Sequence, residues 1–277
     1  MTAIIAKIRK EVVDVIDTTN PALLGLAYVE INPTELCNRT CSFCPRHDPK
    51  LWPNLNLNMS VRQAYDLADQ LDDANYQGWV AFSGYGEPTL NPNILDLIKA
   101  FANYPVELIS NGDNILKGKI HVDDLIDAGV DKLLISDYDK NPLWKSFIDK
   151  YPQMVVRNHY DDGSDKYEEY NFNNRGGLQG KIDSPLSRPC YIPSYKVLIN
   201  WNGDVILCSQ NWLIKKVLDN INNNTLSNIW MSKEFISIRQ DLINGKRDMV
   251  TSCANCNVKG DMFGKQQALL WAQKKDS

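Results

Sequence analysis

The chain has 277 residues, 43% hydrophobic and 23% charged, with 30 Lys+Arg against 34 Asp+Glu for a formal net charge of −4. At roughly 100–200 residues per domain this allows one large domain, or one with a small appendage, and the composition excludes a disordered tail, a fibrous repeat or a disulfide-stapled miniprotein. Apolar runs such as Leu133–Ile135 and Val205–Leu207 are too short to cross a bilayer, and no cationic stripe is dense enough to grip a phosphate backbone, so neither membrane nor nucleic acid is an expected partner.

Ile4, Ile5, Ile8, Val12, Val15 and Ile16 interleave with Lys and Glu at helical spacing rather than forming a signal-peptide core, so a cytoplasmic protein is expected. Leu26–Ile31 reads as the first strand. Ser60-Val61-Arg62-Gln63 is a capping box opening a helix marked by Ala64, Leu67, Ala68 and Leu71. Trp79–Ser83 is a second strand, ended by Gly84 and Gly86. Ile94, Leu95, Ile98 and Phe101 mark a helix, and Val106–Ser110 a third strand stopping at Asn111-Gly112. A short helix around Val122–Ala128, a strand at Lys132–Ser136, a helix at Leu143–Lys150 and a strand at Gln153–Arg157 follow. Uniformly apolar strands alternating with helices predict an α/β fold of parallel units. About five strands are too few for a closed eight-stranded barrel, so a partial (β/α) barrel is expected over residues 1–160, binding ligands at the carboxyl ends of its strands.

Residues 161–187 turn polar and Gly-rich, with Asp161, Asp162, Asp165, Glu168 and Glu169, and read as a solvated linker. Residues 188–277 read as a small hairpin-and-helix unit. Lys196–Asn200 and Asp204–Cys208 flank Trp201-Asn202-Gly203, a strong hairpin signal. Asn222-Asn223-Asn224 reads as a turn. Ile229, Trp230, Phe235, Ile238 and Leu242 suggest one or two amphipathic helices, and Leu269, Leu270 and Trp271 a last one.

Seven cysteines, an odd number without a secretory signal, argue against a disulfide framework. Cys37, Cys41 and Cys44 lie within eight residues, on the loop after the first strand. Three soft thiolates on one tight loop form a metal or cluster site. Zinc completed by His47 is one reading; a four-iron cluster held by three thiolates, with one iron open to an outside ligand, is the other. Cys190, Cys208, Cys253 and Cys256 supply four thiols for zinc or for a fully ligated cluster, either of which helps a small unit to fold.

Cys-x3-Cys-x2-Cys with Phe43 before the last cysteine, followed by Ser83-Gly84-Tyr85-Gly86-Glu87-Pro88 at the end of the second strand, resembles the radical S-adenosylmethionine (SAM) superfamily and its glycine-glycine-glutamate motif. Gly203-x4-Cys208 on a hairpin, with Ile229-Trp230 downstream, resembles the truncated auxiliary-cluster (twitch) domain of the same superfamily. The resemblance implies two [4Fe-4S] clusters, a SAM-binding one on Cys37, Cys41 and Cys44 and an auxiliary one on Cys190, Cys208, Cys253 and Cys256. It further implies that SAM chelates the open iron. An electron from the reduced cluster, supplied by a flavodoxin- or ferredoxin-type donor, would release a 5′-deoxyadenosyl radical that takes hydrogen from substrate. Phe43 would lie near the adenine, Gly84, Gly86 and Glu87 beside the SAM amine, and Ser110, Asn111 and Ser136 at further SAM contacts. Plainer readings stand beside these: core packing for Phe43, a turn for Ser110-Asn111, and a structural carboxylate for Glu87.

Within the superfamily, the cluster inventory resembles small dehydrogenases that oxidise a cyclitol hydroxyl to a ketone while the auxiliary cluster accepts an electron. By that similarity Arg175, in Asn173-Asn174-Arg175-Gly176-Gly177, would steer the hydroxyl; arginine rarely deprotonates anything, and a carboxylate-paired loop arginine is the alternative. His159, Tyr160 and Asp161 are further polar candidates. A second expectation is a peptide-modifying enzyme that cross-links or epimerises a ribosomal precursor, weakened because only 36 residues precede Cys37. A non-enzymatic iron–sulfur or zinc-binding module is the third, and it leaves the glycine-glutamate motif unexplained.

Overall fold

The structure, a computed structural model, describes residues 10, 12–13, 20–159, 173–212, 214 and 216–274. Most of the expected N-terminal helix, together with Tyr160, Asp161 and the acidic stretch that follows, lies outside these residues.

The expected alternation is present: β1 (Tyr28–Ile31), α1 (Val61–Asp73), β2 (Trp79–Phe82), α2 (Ile94–Lys99), β3 (Val106–Ser110), a short α3 (Asp113–Leu116), α4 (Val122–Ala128), β4 (Val130–Asp137), α5 (Trp144–Lys150) and β5 (Met154–Asn158). Ser60 caps α1 by accepting from the Gln63 N–H at 3.2 Å, which satisfies one of the helix's unpaired amides. After α6 (Ile192–Tyr195) come β6 (Lys196–Ile199), β7 (Asp204–Ile206) and β8 (Val217–Asn220), then α7 (Leu226–Trp230), α8 (Lys233–Ile243) and α9 (Lys265–Gln273).

All eight strands form one sheet in the order β5-β4-β3-β2-β1-β6-β7-β8. Five parallel strands were expected; a sixth joins them, because β6 pairs parallel to β1 with Tyr28 opposite Lys196 and Ile31 opposite Ile199. The predicted hairpin is therefore the continuation of the barrel sheet, with β7 antiparallel to β6 and β8 antiparallel to β7. Both residue sets are apolar and equally suited to a strand; their pairing across more than 160 residues leaves no local trace.

Side chains alternate between the two faces of a strand, and here the faces differ in chemistry. Val29, Ile31, Val80, Phe82, Val106, Leu108, Leu133, Ile135, Val197 and Ile199 join the helices in the main core. The other face carries Glu30, Ser83, Glu107 and Ser136, all buried. A partial barrel follows, with one apolar wall against the helices and an interior in which these polar groups sit among Tyr28, Ala81, Leu198 and Ile206. Toward the N-terminal ends of β1 and β6, Arg239 is fully buried among Trp230, Phe235 and Trp271, with ring centroids 3.8, 3.6 and 4.0 Å from its guanidinium carbon. It donates to the Pro193 and Trp230 carbonyls at 2.8 Å each, so one cation joins α6, α7, α8 and α9.

Candidate active site

A cavity of about 240 Å³ opens inside the sheet at the strand ends. Its wall includes Cys37, Cys41 and Cys44, together with Phe43, Gly84, Gly86, Glu87, Ser110, Asn111, Ser136 and Arg175. The first three cysteines, the nominated SAM contacts and Arg175 thus meet at one place, whereas His47 and His159 are not on its wall. Glu30, Arg39, Tyr138, Arg157, Gln210 and Trp212 also line it and were not singled out from the sequence. For Glu30 a signal existed, a carboxylate inside an otherwise apolar strand. Its carboxylate takes a hydrogen bond from Ser83 and an ion pair from Lys196 at 2.5 Å.

The cysteine loop is braced from several sides. Arg39 forms ion pairs with both Asp113, after β3, and Asp139, after β4; its hydrogen bond to Asp139 holds that carboxyl below the usual range. Asn38 accepts from Asn111 Nδ2 at 2.7 Å and donates to Asp113 at 3.1 Å. Beneath the loop, buried Arg46 donates to the Tyr85 carbonyl at 2.7 Å and to Glu35 at 3.1 Å, and Trp52 Nε1 donates to the same Glu35 carboxylate at 2.8 Å. Phe43 packs on Tyr138, ring centroids 5.4 Å apart, and Tyr138 stacks on His159 at 4.9 Å. Burial, reinforced by Arg157 and Arg175, lowers the His159 pKa to about 3, so its imidazole is neutral at ordinary pH.

The glycine loop is held by a residue that sequence reasoning missed. Asn32 is fully buried, and its Oδ1 accepts from the Tyr85 and Gly86 N–H groups at 2.9 and 3.1 Å. Its Nδ2 donates to Asn200 at 2.7 Å, tying the ends of β1 and β6 together. Gly84 has φ +119°, and a Cβ there would strike Asn32. At Gly86 a Cβ would sit 2.1 Å from the Thr34 carbonyl oxygen and 2.7 Å from that of Leu36. This glycine therefore lets the glycine loop pass against the cysteine loop, whereas the sequence suggested only ligand approach. Gly86→Ala is expected to reduce iron at the first site and lower the unfolding midpoint together; normal iron and stability with weakened SAM binding alone would restore the ligand-approach explanation.

Glu87 is buried and its carboxylate is filled. It accepts from Thr89 N, Thr89 Oγ1 and Ser110 Oγ at 3.1, 2.7 and 2.7 Å, and from Asn111 N at 2.8 Å. Burial still raises its pKa despite those donors. Ser136 accepts from Arg157 Nη2 at 2.7 Å, joining β4 to β5.

The second cysteine group lies behind a thin wall of the same cavity. Arg175, Gly176 and Gly177 all have positive φ, at 51°, 66° and 94°. This loop is docked by Asn174, which donates to the Asn255 carbonyl at 2.7 Å and exchanges hydrogen bonds with Asn257 at 2.8 and 3.1 Å. Residues 173–179 are thus packed against the Cys253–Cys256 turn rather than solvated as a linker would be. Arg175 faces the cavity while the Gly176 N–H donates to the Cys256 sulfur. Likewise Gln210 faces the cavity while its own N–H donates to Cys208 Sγ at 3.4 Å. Buried Arg247 donates to the carbonyls of Arg188, Val258, Pro189 and Lys259 at 2.6–3.1 Å, binding together the loops that carry Cys190 and Cys256.

All seven cysteines are free of disulfides. Burial pushes the Cys37 and Cys190 thiols up to about 11 and Cys208 up to about 12. Such thiols become thiolates beside a strong positive charge, and the N–H groups aimed at Cys208 and Cys256 are the donors that stabilise cluster sulfur. Among the described residues, no three His, Cys, Asp or Glu side chains converge as a single metal ion requires. The donor set suits iron–sulfur clusters, whose thiolates stand apart at separate irons.

Residues 31–136 match the radical SAM superfamily and residues 190–257 the iron–sulfur cluster-binding SPASM domain, so the chain carries a radical SAM domain followed by an auxiliary iron–sulfur domain. Its cofactors are accordingly SAM and iron–sulfur clusters. The chain is 26% identical over 249 residues to S-adenosyl-L-methionine-dependent 2-deoxy-scyllo-inosamine dehydrogenase of Niallia circulans, covering 85% of this chain and 93% of that one. The crystal structure of BtrN in complex with AdoMet and 2-DOIA superposes with a TM-score of 0.74 at 24% identity, covering 87% of this chain and 96% of that one. An open conformation of BtrN gives 0.63 at 22% identity, covering 84% and 92%. No described helix is long and apolar enough to cross a membrane.

Proposed function

We propose that the protein is a SAM-dependent dehydrogenase that oxidises a ring hydroxyl of a cyclitol-like substrate to a ketone. The observation that carries this reading is the shared wall: Arg175 and Gln210 face the cavity while the adjoining amides bond the sulfurs of Cys256 and Cys208. The relative named for 2-deoxy-scyllo-inosamine supports the substrate class.

In this reading Cys37, Cys41 and Cys44 hold one [4Fe-4S] cluster, and Cys190, Cys208, Cys253 and Cys256 hold the other. When bound, these clusters and SAM supply a 5′-deoxyadenosyl radical, reduction coming from a flavodoxin- or ferredoxin-type donor, and an acceptor for the substrate's second electron. Phe43, Gly84, Gly86, Ser110, Asn111 and Ser136 shape the SAM side of the cavity. Glu87 acts through them: its filled carboxylate fixes Ser110 and the Asn111 amide in place. Phe43 and Tyr138, backed by neutral His159, shut water out of one side. Arg175 orients the substrate hydroxyl and stabilises negative charge on its oxygen, a task for a guanidinium that stays protonated.

Anaerobically reconstituted enzyme given SAM, dithionite and 2-deoxy-scyllo-inosamine is expected to form 5′-deoxyadenosine and a keto product in equal amounts. Deoxyadenosine without ketone, and with a modified precursor peptide instead, would hand the function to the peptide reading.

A further inference from the structure

The cavity wall after β7 carries two buried polar atoms that the fold does not use. Trp212 is 4% exposed, and its Nε1 has no hydrogen-bond partner among the described residues. Gln210 Oε1 is buried and equally without a partner among them. Both residues line the cavity. Their surroundings are otherwise well satisfied: the Gln210 N–H is spent on Cys208 Sγ, and the Trp212 ring packs on Trp52 and Tyr85 with centroids 5.0 and 4.7 Å apart. Leaving a buried donor and a buried acceptor unmade is costly, and both residues line the cavity, so a ligand that drew these two groups toward it would relieve that cost.

We propose that Gln210 and Trp212 form a recognition site for an uncharged hydroxyl of the substrate. This rests on the dehydrogenase reading above and narrows its substrate class. The argument is one of donor and acceptor count. An indole N–H only donates and an amide oxygen only accepts. A hydroxyl answers both, donating to Gln210 Oε1 and accepting from Trp212 Nε1. An ammonium has no lone pair for the indole N–H, and a carboxylate has no proton for the amide oxygen. The pair lies on the loop after β7, beside Ser209 and on the wall shared with Arg175, whereas the SAM-side residues come from the C-terminal ends of β3 and β4 and the loops after β1, β2 and β3. The hydroxyl it grips is therefore a substrate hydroxyl. A neutral polyol ring held here is fixed at one hydroxyl while another lies toward Arg175.

The test is calorimetric binding to the reconstituted holoenzyme with SAM and no reductant, so that no turnover occurs. The probes are scyllo-inositol, which is uncharged, and 2-deoxy-scyllo-inosamine, which carries an amine. Gln210→Leu and Trp212→Phe should each weaken scyllo-inositol binding roughly tenfold, the usual scale for stranding one buried partner. Iron content and SAM affinity should hold, since the Gln210 amide and an aromatic ring at 212 are both kept. Gln210→Glu should not tighten 2-deoxy-scyllo-inosamine. Unchanged cyclitol affinity in both variants overturns the site while leaving the dehydrogenase reading intact. So does a loss of SAM affinity in place of cyclitol affinity. Tighter inosamine binding by Gln210→Glu overturns it in favour of an ammonium site. If the wild-type enzyme binds neither probe, the cyclitol reading itself falls and this site falls with it.

Discussion

Replacing Cys37, Cys41 and Cys44 together by Ala should remove about four irons per chain and abolish 5′-deoxyadenosine formation, because the first site then offers no thiolate to a cluster. The loss should be confined to that site. The cysteine loop is braced by Arg39 to Asp113 and Asp139, and by Arg46 to Glu35 and the Tyr85 carbonyl. None of those bonds involves a cysteine sulfur, so far-ultraviolet circular dichroism should stay close to wild type. The second group, behind the Arg175–Gly177 loop, keeps its four thiols and should keep its iron. Iron and sulfide analysis, with deoxyadenosine measured by chromatography under dithionite, reads all of this out. Persistent SAM cleavage in the folded triple variant would remove the cluster from these three residues.

Those three cysteines stood out in the sequence as soft ligands at short spacing on one loop, and the structure sets all three on the wall of one cavity. The β3 strand was legible for a similar reason, an apolar run bounded by Pro105 and Asn111-Gly112, and it spans Val106–Ser110 as expected. What failed to show was anything set by distant pairing. The β6 strand joins β1 because their apolar faces and registers fit, and no residue near either announces it. The short β8 strand, Val-Leu-Asp-Asn with an exposed valine, carries no alternation to betray it and forms only against β7. Polar braces were equally silent. Asn32 reads as one asparagine at a strand end, and Asn174 and Asn257 as loop residues, until the fold brings their partners to them. The same holds for Arg247, an ordinary surface cation by sequence and a four-carbonyl clasp in the structure. Glu87 carried two readings from its motif, a SAM contact and a structural carboxylate; its four hydrogen bonds make it a strut between two loops, and it still lines the cavity.

A Cys253→Ala, Cys256→Ala variant should lose about four irons from the second site, still generate 5′-deoxyadenosine, and fail to complete the oxidised product. The reasoning starts from electron count. Turning an alcohol into a ketone removes two electrons and two protons, and hydrogen abstraction accounts for only one of each. The second electron needs an acceptor near the substrate, and the four thiols behind the Arg175–Gly177 loop are placed to hold one. Wild-type enzyme should therefore consume SAM one-to-one with product. The obvious complication is that an iron–sulfur unit can unfold when it loses its cluster. Here the surrounding loops have other supports: Arg247 clasps the Arg188, Pro189, Val258 and Lys259 carbonyls, Asn174 and Asn257 exchange hydrogen bonds, and β6 is paired to β1 in the main sheet. The double variant should thus keep its secondary structure by circular dichroism and its SAM affinity by calorimetry. With both retained, loss of ketone assigns electron acceptance to the second site. Full ketone yield from a folded double variant would reduce that site to a structural support. Catalytic rather than stoichiometric use of SAM would instead redirect the function to a redox-neutral rearrangement or peptide modification.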